Sequence, residues 1–434
     1  MINRALVLIL SCASFSAQAE LSIQITQGID NPIPISVVPF AWEGAGVLSE
    51  NVSQIVIDDL QQVGEFRALS PGNMLSLPNE ENEVFYRDWR VLAQDYLLVG
   101  KITRATGSQL VQVQYEFFDV NRELKLAGEI LTGSVTQLRD IGHEISNVVF
   151  ELVTGTRGAF TTQILYIVSE EVGGQTVFRL EKADYDGQRA QVLLESNEPI
   201  MSPSWSPNGQ DIAYVSFETS LPRIYTQNIA TGQRRQITNY PNINSSPVWS
   251  PDGNRLAMVL SKDGSPDIYV QDLLSNELIR VTDHPAIDTE PSWSRDGSAI
   301  VFMSDRTGQP QIYQMEVGAS SFNVERLTYD CFQCMKGQFL PDGVNMVHVR
   351  RETRQDPNYQ IAILNVETLR VITLTDTSLD ESPSVAPNGS MIMYATKFAG
   401  RGVLDAVSID GRVKFRLPSE RGDVREPAWS PFFN

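Results

Sequence analysis

The residues able to do chemistry are few and scattered. The 434-residue chain holds three His and three Cys. His143 falls on a predicted helix, His284 in a loop and His348 on a strand, none with a partner at ligand or catalytic spacing. No G-x-S-x-G nucleophile elbow and no H-E-x-x-H occurs. Gly100-Lys101-Ile102-Thr103 lacks the upstream glycine of a phosphate-binding loop, and Gly44-Ala45-Gly46 lacks the third glycine of a dinucleotide fingerprint. Distant segments can still assemble a catalytic triad, so an exported hydrolase or lyase using carboxylates stands as the alternative to a binding protein. Cys331 and Cys334 form a C-x-x-C pair, a spacing that suits a local disulfide, free thiols, a redox motif or half a metal site. It lacks the βαβ setting of a thioredoxin-like site, and the disulfide is the plain expectation for an exported chain.

Carboxylates remain. Asp288, Glu290, Asp380, Glu381, Asp423 and Glu426 lie beside small residues in short segments that precede predicted strands. What positions them is a repeat. Pro203-Ser204-Trp205-Ser206-Pro207-Asn208-Gly209 returns as Pro247-Val248-Trp249-Ser250-Pro251-Asp252-Gly253 and as Pro291-Ser292-Trp293-Ser294-Arg295-Asp296-Gly297. Weaker copies start at Gly337 and Pro383, and Pro427-Ala428-Trp429-Ser430-Pro431 ends the series. The copies begin 44, 44, 46, 46 and 44 residues apart. Periods of about 40–50 with short strands are propeller blades. The Asn-Gly and Asp-Gly pairs make tight hairpin turns, where positive φ is needed.

Each copy leads a four-strand series, and its Trp and Tyr rings are expected between neighbouring blades. The first unit, from Ile164, lacks its leading strand, and the last unit, at Pro427, is only that strand. The C-terminal strand therefore closes the first blade, which leaves no open edge at the seam. Six blades result. The segments from each outer strand to the next inner strand converge on the rim of a central channel, a natural binding surface. A ring of carboxylates there can also hold Ca²⁺ through oxygen ligands.

Upstream, strands are predicted at Ile33–Pro39, Tyr96–Ile102, Leu110–Phe118 and Leu126–Leu131, and helices at Leu48–Val63 and Ser134–Leu152. This mixture reads as a compact α/β domain. The very start reads as a leader: Arg4, an apolar run from Ala5 to Ser11, then Ala17-Gln18-Ala19, with cleavage expected after Ala19. A lipoprotein leader ending at Cys12 is the alternative. The expected organisation is a signal at 1–19, an α/β domain at 20–157 and the propeller at 158–434. No later segment reaches 18 apolar residues, so no membrane insertion is expected. The formal charge of -19 argues against nucleic acid and anionic membranes.

With the leader, the α/β domain and the W-S-P-[DN]-G repeats in this order, the whole chain resembles the TolB family, periplasmic β-propellers of the Tol–Pal system. The start Leu21-Ser22-Ile23-Gln24-Ile25-Thr26-Gln27-Gly28-Ile29 resembles that family's mature N-terminus. Peptidases of the prolyl oligopeptidase type carry similar repeats, but their hydrolase domain needs some further 200 residues. The resemblance implies a monomeric, non-enzymatic adaptor without a cofactor, supporting outer-membrane integrity and constriction at division. Its implied partners are the lipoprotein Pal at the channel face and the C-terminal domain of TolA at the N-terminal segment, with colicins and other outer-membrane proteins as further partners. Carried over, the Pal-facing candidates are Ile243 and Ser246 in the loop Asn242-Ile243-Asn244-Ser245-Ser246, and Thr289 and Glu290 in Asp288-Thr289-Glu290; the rim-loop acids Asp380, Glu381 and Glu426 complete the expected Pal-facing set. The TolA-facing candidates are Glu20, Leu21, Ser22, Ile23, Gln24, Ile25 and Thr26. Ile243 stands where the family can have a histidine, and the fifth blade's entry, with Cys331 and Cys334, lacks the usual Ser-Pro start.

Overall fold

The computed structural model describes residues 22–25, 31–105, 110–318, 323–419 and 421–433. The leader, with its cleavage site, lies outside them, as do Glu20, Leu21 and Thr26.

The N-terminal domain is a mixed sheet with helices on it. After β1 (Ser22–Ile25) its strands are β2 (Ile33–Val37), β3 (Ala41–Glu43), β4 (Phe66–Ala68), β5 (Tyr96–Arg104), β6 (Val111–Asp119) and β7 (Leu124–Gly133). The sheet order is β4-β2-β5-β6-β7, with β3 also on β5. β2 runs parallel to β4 and β5, while β5, β6 and β7 form an antiparallel meander. The first helix, α1 (Val52–Gln62), starts later than its apolar pattern suggests. Asn51 caps it, its side chain accepting from the Gln54 N–H at 3.2 Å, and so satisfies an orphan donor of the first turn. A short α2 (Tyr86–Val91) and the strands β3 and β4 were not anticipated. The last helix, α3 (Leu138–Thr154), buries Leu138, Ile141, Ile145 and Val149, and ends at Gly155 in the left-handed conformation.

The propeller has six blades, closed as the strand count requires. The last strand, Asp423–Trp429, pairs antiparallel with β8 (Gln163–Val172), which is followed by β9 (Gln175–Asp184) and β10 (Gln191–Ser196) to complete blade 1. Blades 2 to 5 are each four consecutive strands. Blade 6 has a fifth: β1 adds antiparallel to its outer strand, Val413–Arg416. Two indoles tie neighbouring blades together, and a third closes the seam within blade 1. Trp205 Nε1 donates to the Ala428 carbonyl at 2.9 Å, Trp293 Nε1 to that of Val248 at 3.1 Å, and Trp429 Nε1 to Thr162 Oγ1 at 2.8 Å.

Antiparallel strands fix what each face presents. The lead-in to every innermost strand and the hairpin between second and third strands open on one face; the other hairpins open on the opposite face. The N-terminal domain sits on the second of these. One apolar cluster runs from Ile35, Val56, Leu60 and Phe150 through Phe160 to Met391, Phe415 and Trp429, so the two domains share a core. Gly64 lets α1 approach blade 6: a Cβ there would meet Val413 Cγ2 at 1.9 Å.

Beside this core lies a buried ionic clasp. Tyr185 Oη, from the turn between β9 and β10, donates to Asp59 Oδ1 of α1 at 2.6 Å. His143 Nδ1 of α3 meets Asp59 Oδ2 at 2.8 Å. Arg139 of α3 pairs with Asp186 and, at 3.4 Å, with Asp184, while Arg189 pairs with Asp140 of α3. His143, Asp184 and Asp186 present ligand atoms within 4.8 Å of one another. Arg139 pairs with both carboxylates and Arg189 Nε with Asp184 at 2.7 Å, so two cations already face these acids, which makes the group an ion-pair network.

Candidate functional site: the channel ring

Every innermost strand carries the same irregularity. The pairing with the second strand slips by one residue at Met201/Ser204, Ser245/Val248, Thr289/Ser292, Met335/Gln338, Glu381/Ser384 and Arg425/Ala428. These are β-bulges, which re-aim a side chain. The bulged residues Ser202, Ser246, Glu290, Lys336, Ser382 and Glu426 have φ of 51, 50, 54, 55, 52 and 51°. Side chains rarely adopt this region, at a cost of about 1–2 kcal/mol each. Five are followed by Pro and one by Gly337. Proline brings no N–H to a point where the ladder offers no partner. All six line a channel of about 550 Å³ along the propeller axis.

The ring thus holds three hydroxyls, two carboxylates and one ammonium. Glu426 accepts from the backbone N–H of Ser202, and Glu290 accepts from that of Lys336 at 2.9 Å. Each acid therefore braces the next blade. Lys336 Nζ lies 3.5 Å from Glu290 Oε1. Burial opposes the Lys336 charge, but Glu290, Glu426 and Glu381 outweigh it and raise its pKa. Calcium takes about six to eight oxygen ligands. Here one of two ring carboxylates already has a cation and both bond backbone N–H groups, a donor set that does not fit the ion.

Of the sequence candidates, Ser246, Glu290 and Glu426 come together in this ring. Asn242, with φ of 63°, and Ile243 stand exposed at the channel-mouth face. Ser245 and Thr289 are half-buried on their strands, and Glu381 lines a small side cavity with Lys397 and Arg425. Three expectations need correction. Asn244, Asp288 and Asp380 are fully buried and outside the channel lining. Asn244 Nδ2 donates to the Tyr240 and Asn242 carbonyls at 2.8 and 3.2 Å. Asp288 pairs with Arg306 at 3.0 Å, and Asp380 accepts from Thr377. These residues hold the lead-in turns; the surface belongs to their neighbours. The reading also missed Lys336, although it lies 46 residues after Glu290 and 46 before Ser382. Counting from the bulge would have found it.

Exposed apolar residues surround the mouth. Met201, Ile243 and Ile287 are 41%, 41% and 46% exposed. Ile243 and Ile287 occupy equivalent positions of blades 3 and 4. Cys331 and Cys334 are joined by a disulfide at the lead-in of blade 5. His284 turns back into its own loop, its Nδ1 accepting from the Ala286 N–H at 3.0 Å. His348 is buried, and burial and Arg350 push its pKa down to about 4. In the N-terminal segment, the backbone of Ser22–Ile25 is paired to blade 6.

Two family models match the chain. One, described as the TolB amino-terminal domain, covers residues 21–126, and one described as the TolB beta propeller domain covers residues 150–433. The Tol-Pal system protein TolB of Pseudomonas fluorescens (strain SBW25) is 51% identical over 99% of both chains. That of Pseudomonas syringae pv. syringae is 50% identical over the full length of both. The crystal structure of TolB from Acinetobacter baumannii superposes with a TM-score of 0.86 at 37% identity, covering 95% of this chain and 100% of that one. A bulged six-blade channel, a mixed-sheet domain on its far face and full-length likeness at half identity place the chain in the TolB family of Tol-Pal system proteins.

Proposed function

We propose that the protein is a non-enzymatic periplasmic adaptor. It binds the lipoprotein Pal at the channel mouth and the C-terminal domain of TolA through the segment Glu20–Thr26, and so supports outer-membrane integrity and division. The observation that carries this is the mouth itself. Strained ring residues, fixed by the bulges, open on the face free of the N-terminal domain, amid exposed Met201, Ile243 and Ile287. An apolar patch around a rigid polar depression suits a folded protein partner. The hydrolase or lyase alternative has less support. Its acids are engaged, Asp288 by Arg306, Glu290 by Lys336 and Glu426 by a backbone N–H.

The segment Ser22–Ile25 is paired with Val413–Arg416. Capture of TolA through this backbone therefore competes with the pairing. No described helix is long and apolar enough to cross a membrane.

Calorimetric titration of the mature protein with Pal tests the proposal. Ile243→Asp with Ile287→Asp should weaken binding at least tenfold, about 1.4 kcal/mol, and leave the unfolding midpoint unchanged. Binding unaffected by the pair, or no heat and no co-elution with Pal, sinks it.

A further inference from the structure

One lead-in at the channel mouth is held differently from the other five. Two residues before the bulged position, blades 3, 4 and 6 bury a polar anchor, Asn244, Asp288 and Asp380, while blades 1 and 2 bury an apolar residue, Val424 and Ile200. In blade 5 this residue is Cys334, cross-linked to Cys331. Cys334 is buried in a cluster with Val301, Ile312, Leu327 and Met346, between blades 4 and 5. Cys331 packs at the edge of that cluster and is only half-buried. The two sulfurs therefore differ in access, and a reagent arriving from solvent meets Cys331 first.

A buried guanidinium faces the inner cysteine. The strand Gln333–Phe339 pairs antiparallel with Asn345–Arg351, and the residue directly opposite Cys334 is Arg350. Residues paired in this way project on the same side of a sheet, with Cβ atoms about 4.5–5.5 Å apart. Arg350 is 6% exposed. Its Nη2 donates to the Asp330 carbonyl, next to Cys331, at 2.9 Å, and its Nε has no hydrogen-bond partner among the described residues. Glu352 Oε1 lies 4.0 Å from Nη2, with most of its side chain in solvent. His348, two residues earlier on the strand, is uncharged at neutral pH, because burial and Arg350 push its pKa down to about 4. A thiolate beside a guanidinium is favoured, and a thiol of lower pKa leaves faster in exchange. Burial among aliphatic side chains opposes the thiolate, so its formation hangs on Arg350.

We propose that Cys331–Cys334 is a thiol–disulfide exchange site for a dithiol partner, and that its reduction releases the blade 5 lip of the channel mouth. One thiolate of the dithiol attacks Cys331 Sγ. The S–S bond breaks, its electron pair leaves on Cys334 as a thiolate held by Arg350, and Cys331 remains in a mixed disulfide. The second thiol of the dithiol attacks that mixed disulfide and frees Cys331. The dithiol ends as a disulfide, and its two electrons and two protons end on the two cysteines. The lip is Phe332 and Gln333. Gln333 holds the place that Ile243 and Ile287 take in blades 3 and 4, and Lys336 of the ring follows three residues on. Without the crosslink the segment relies on hydrogen bonds, among them Gln311 Nε2 to the Cys331 and Phe332 carbonyls, both at 3.3 Å, and Tyr359 Oη to Gln333 Oε1 at 2.8 Å. Pal binding at the mouth is then weaker in the reduced protein, a consequence that rests on the reading above.

The test treats the purified, oxidised protein with dithiothreitol in the absence of denaturant, quenches with iodoacetamide and reads the intact mass. Wild type should be reduced, Arg350→Met roughly tenfold or more slowly, and Arg350→Lys at a rate between them. In urea all three should react alike. A second measurement leaves Arg350 in place, should Arg350→Met fail to fold. With oxidised glutathione, Cys334→Ser, which keeps Cys331, should form the mixed disulfide roughly tenfold or more faster than Cys331→Ser. Hydrogen exchange of the Phe332–Cys334 amides should rise roughly tenfold or more on reduction, while the strand Asp267–Asp272, remote in blade 3, stays protected. The proposal is overturned by a disulfide that resists dithiothreitol until the protein unfolds, by equal rates in wild type and a folded Arg350→Met, by equal trapping of the two cysteine variants, or by unchanged exchange. Calorimetric titration of both redox states with Pal separates this site from the reading it rests on. Weaker binding to the reduced protein supports both. Equal binding in the two states refutes the control of Pal and keeps the exchange site. No binding in either state refutes the Pal reading alone.

Discussion

The clasp between the domains makes a quantitative prediction at Tyr185. Its hydroxyl is buried, 2.6 Å from Asp59 Oδ1 and 3.1 Å from Gln62 Oε1. One proton serves only one acceptor, and the carboxylate is the stronger. Tyr185→Phe removes one oxygen and leaves almost no void, so the loss is that of the bond. Hydrogen bonds to charged groups contribute about 1.5–3 kcal/mol, and Asp59 keeps its bond to His143. The expected loss is about 2 kcal/mol, roughly thirtyfold in the folding constant. Urea unfolding at pH 6, followed by tryptophan fluorescence, reads it. Trp42 and Trp89 report on the N-terminal domain, while Trp205, Trp249, Trp293 and Trp429 report on the propeller. The m-value should not change if both domains still unfold together. A double cycle with His143→Ala should show coupling, because both side chains meet the same carboxylate. A loss under about 0.5 kcal/mol with no coupling refutes the clasp as a source of interdomain stability.

Further outcomes follow from the same contacts. Burial opposes a charged His143, but Asp59, through charge and hydrogen bond, and Asp186 prevail, so its pKa is raised. Its contribution is then complete below the unfolded-state value near 6.5 and is lost as pH rises through the higher folded-state value. The stability gap between wild type and His143→Gln should accordingly shrink from pH 6 to pH 9, and a flat gap counts against the assignment. Arg306→Met strands the buried Asp288 carboxylate and should cost about 3–5 kcal/mol, much of it recovered by adding Asp288→Asn; urea midpoints of the single and double variants decide. Gly64→Ala combines a φ of 77° with a clash on Val413 and should lower stability by more than about 1 kcal/mol, read by calorimetric melting.

The parts legible in the sequence are those written locally. The hairpin turns and the repeated Trp gave the blades, and counting strands by type gave the closure. The buried stripes of α1 and α3 were visible in their spacing. Side-chain direction in the innermost strands was not. A bulge shifts the register by one residue, and with it which side faces the channel. Hence Asp288 is buried while Glu290, two residues on, is in the ring. Lys336 was hidden because Cys334, Gly337 and Gln338 obscure the motif of the fourth copy, which opens blade 5. The clasp was out of reach for another reason. Asp59, His143 and Tyr185 lie 84 and 126 residues from their partners, and each alone looks like an ordinary helix or turn residue. The pairing of β1 with blade 6 depends on an edge almost at the other end of the chain.

The seam of the propeller also sets an order of events in time. Trp429 reaches Thr162 across 267 residues, and the innermost strand of the first blade is the last to be made. A chain delivered N-terminus first can complete its α/β domain early, through nearby contacts. Blade 1 must then wait, its inner edge unpaired, until the final strand arrives. Contacts this distant make folding slow, because the loop must close before they stabilise anything. During that wait β8 is an open template for other chains. Assembly of the ring is therefore a late, all-or-none event that a stop a few residues early forfeits entirely, however many of the blades have already formed.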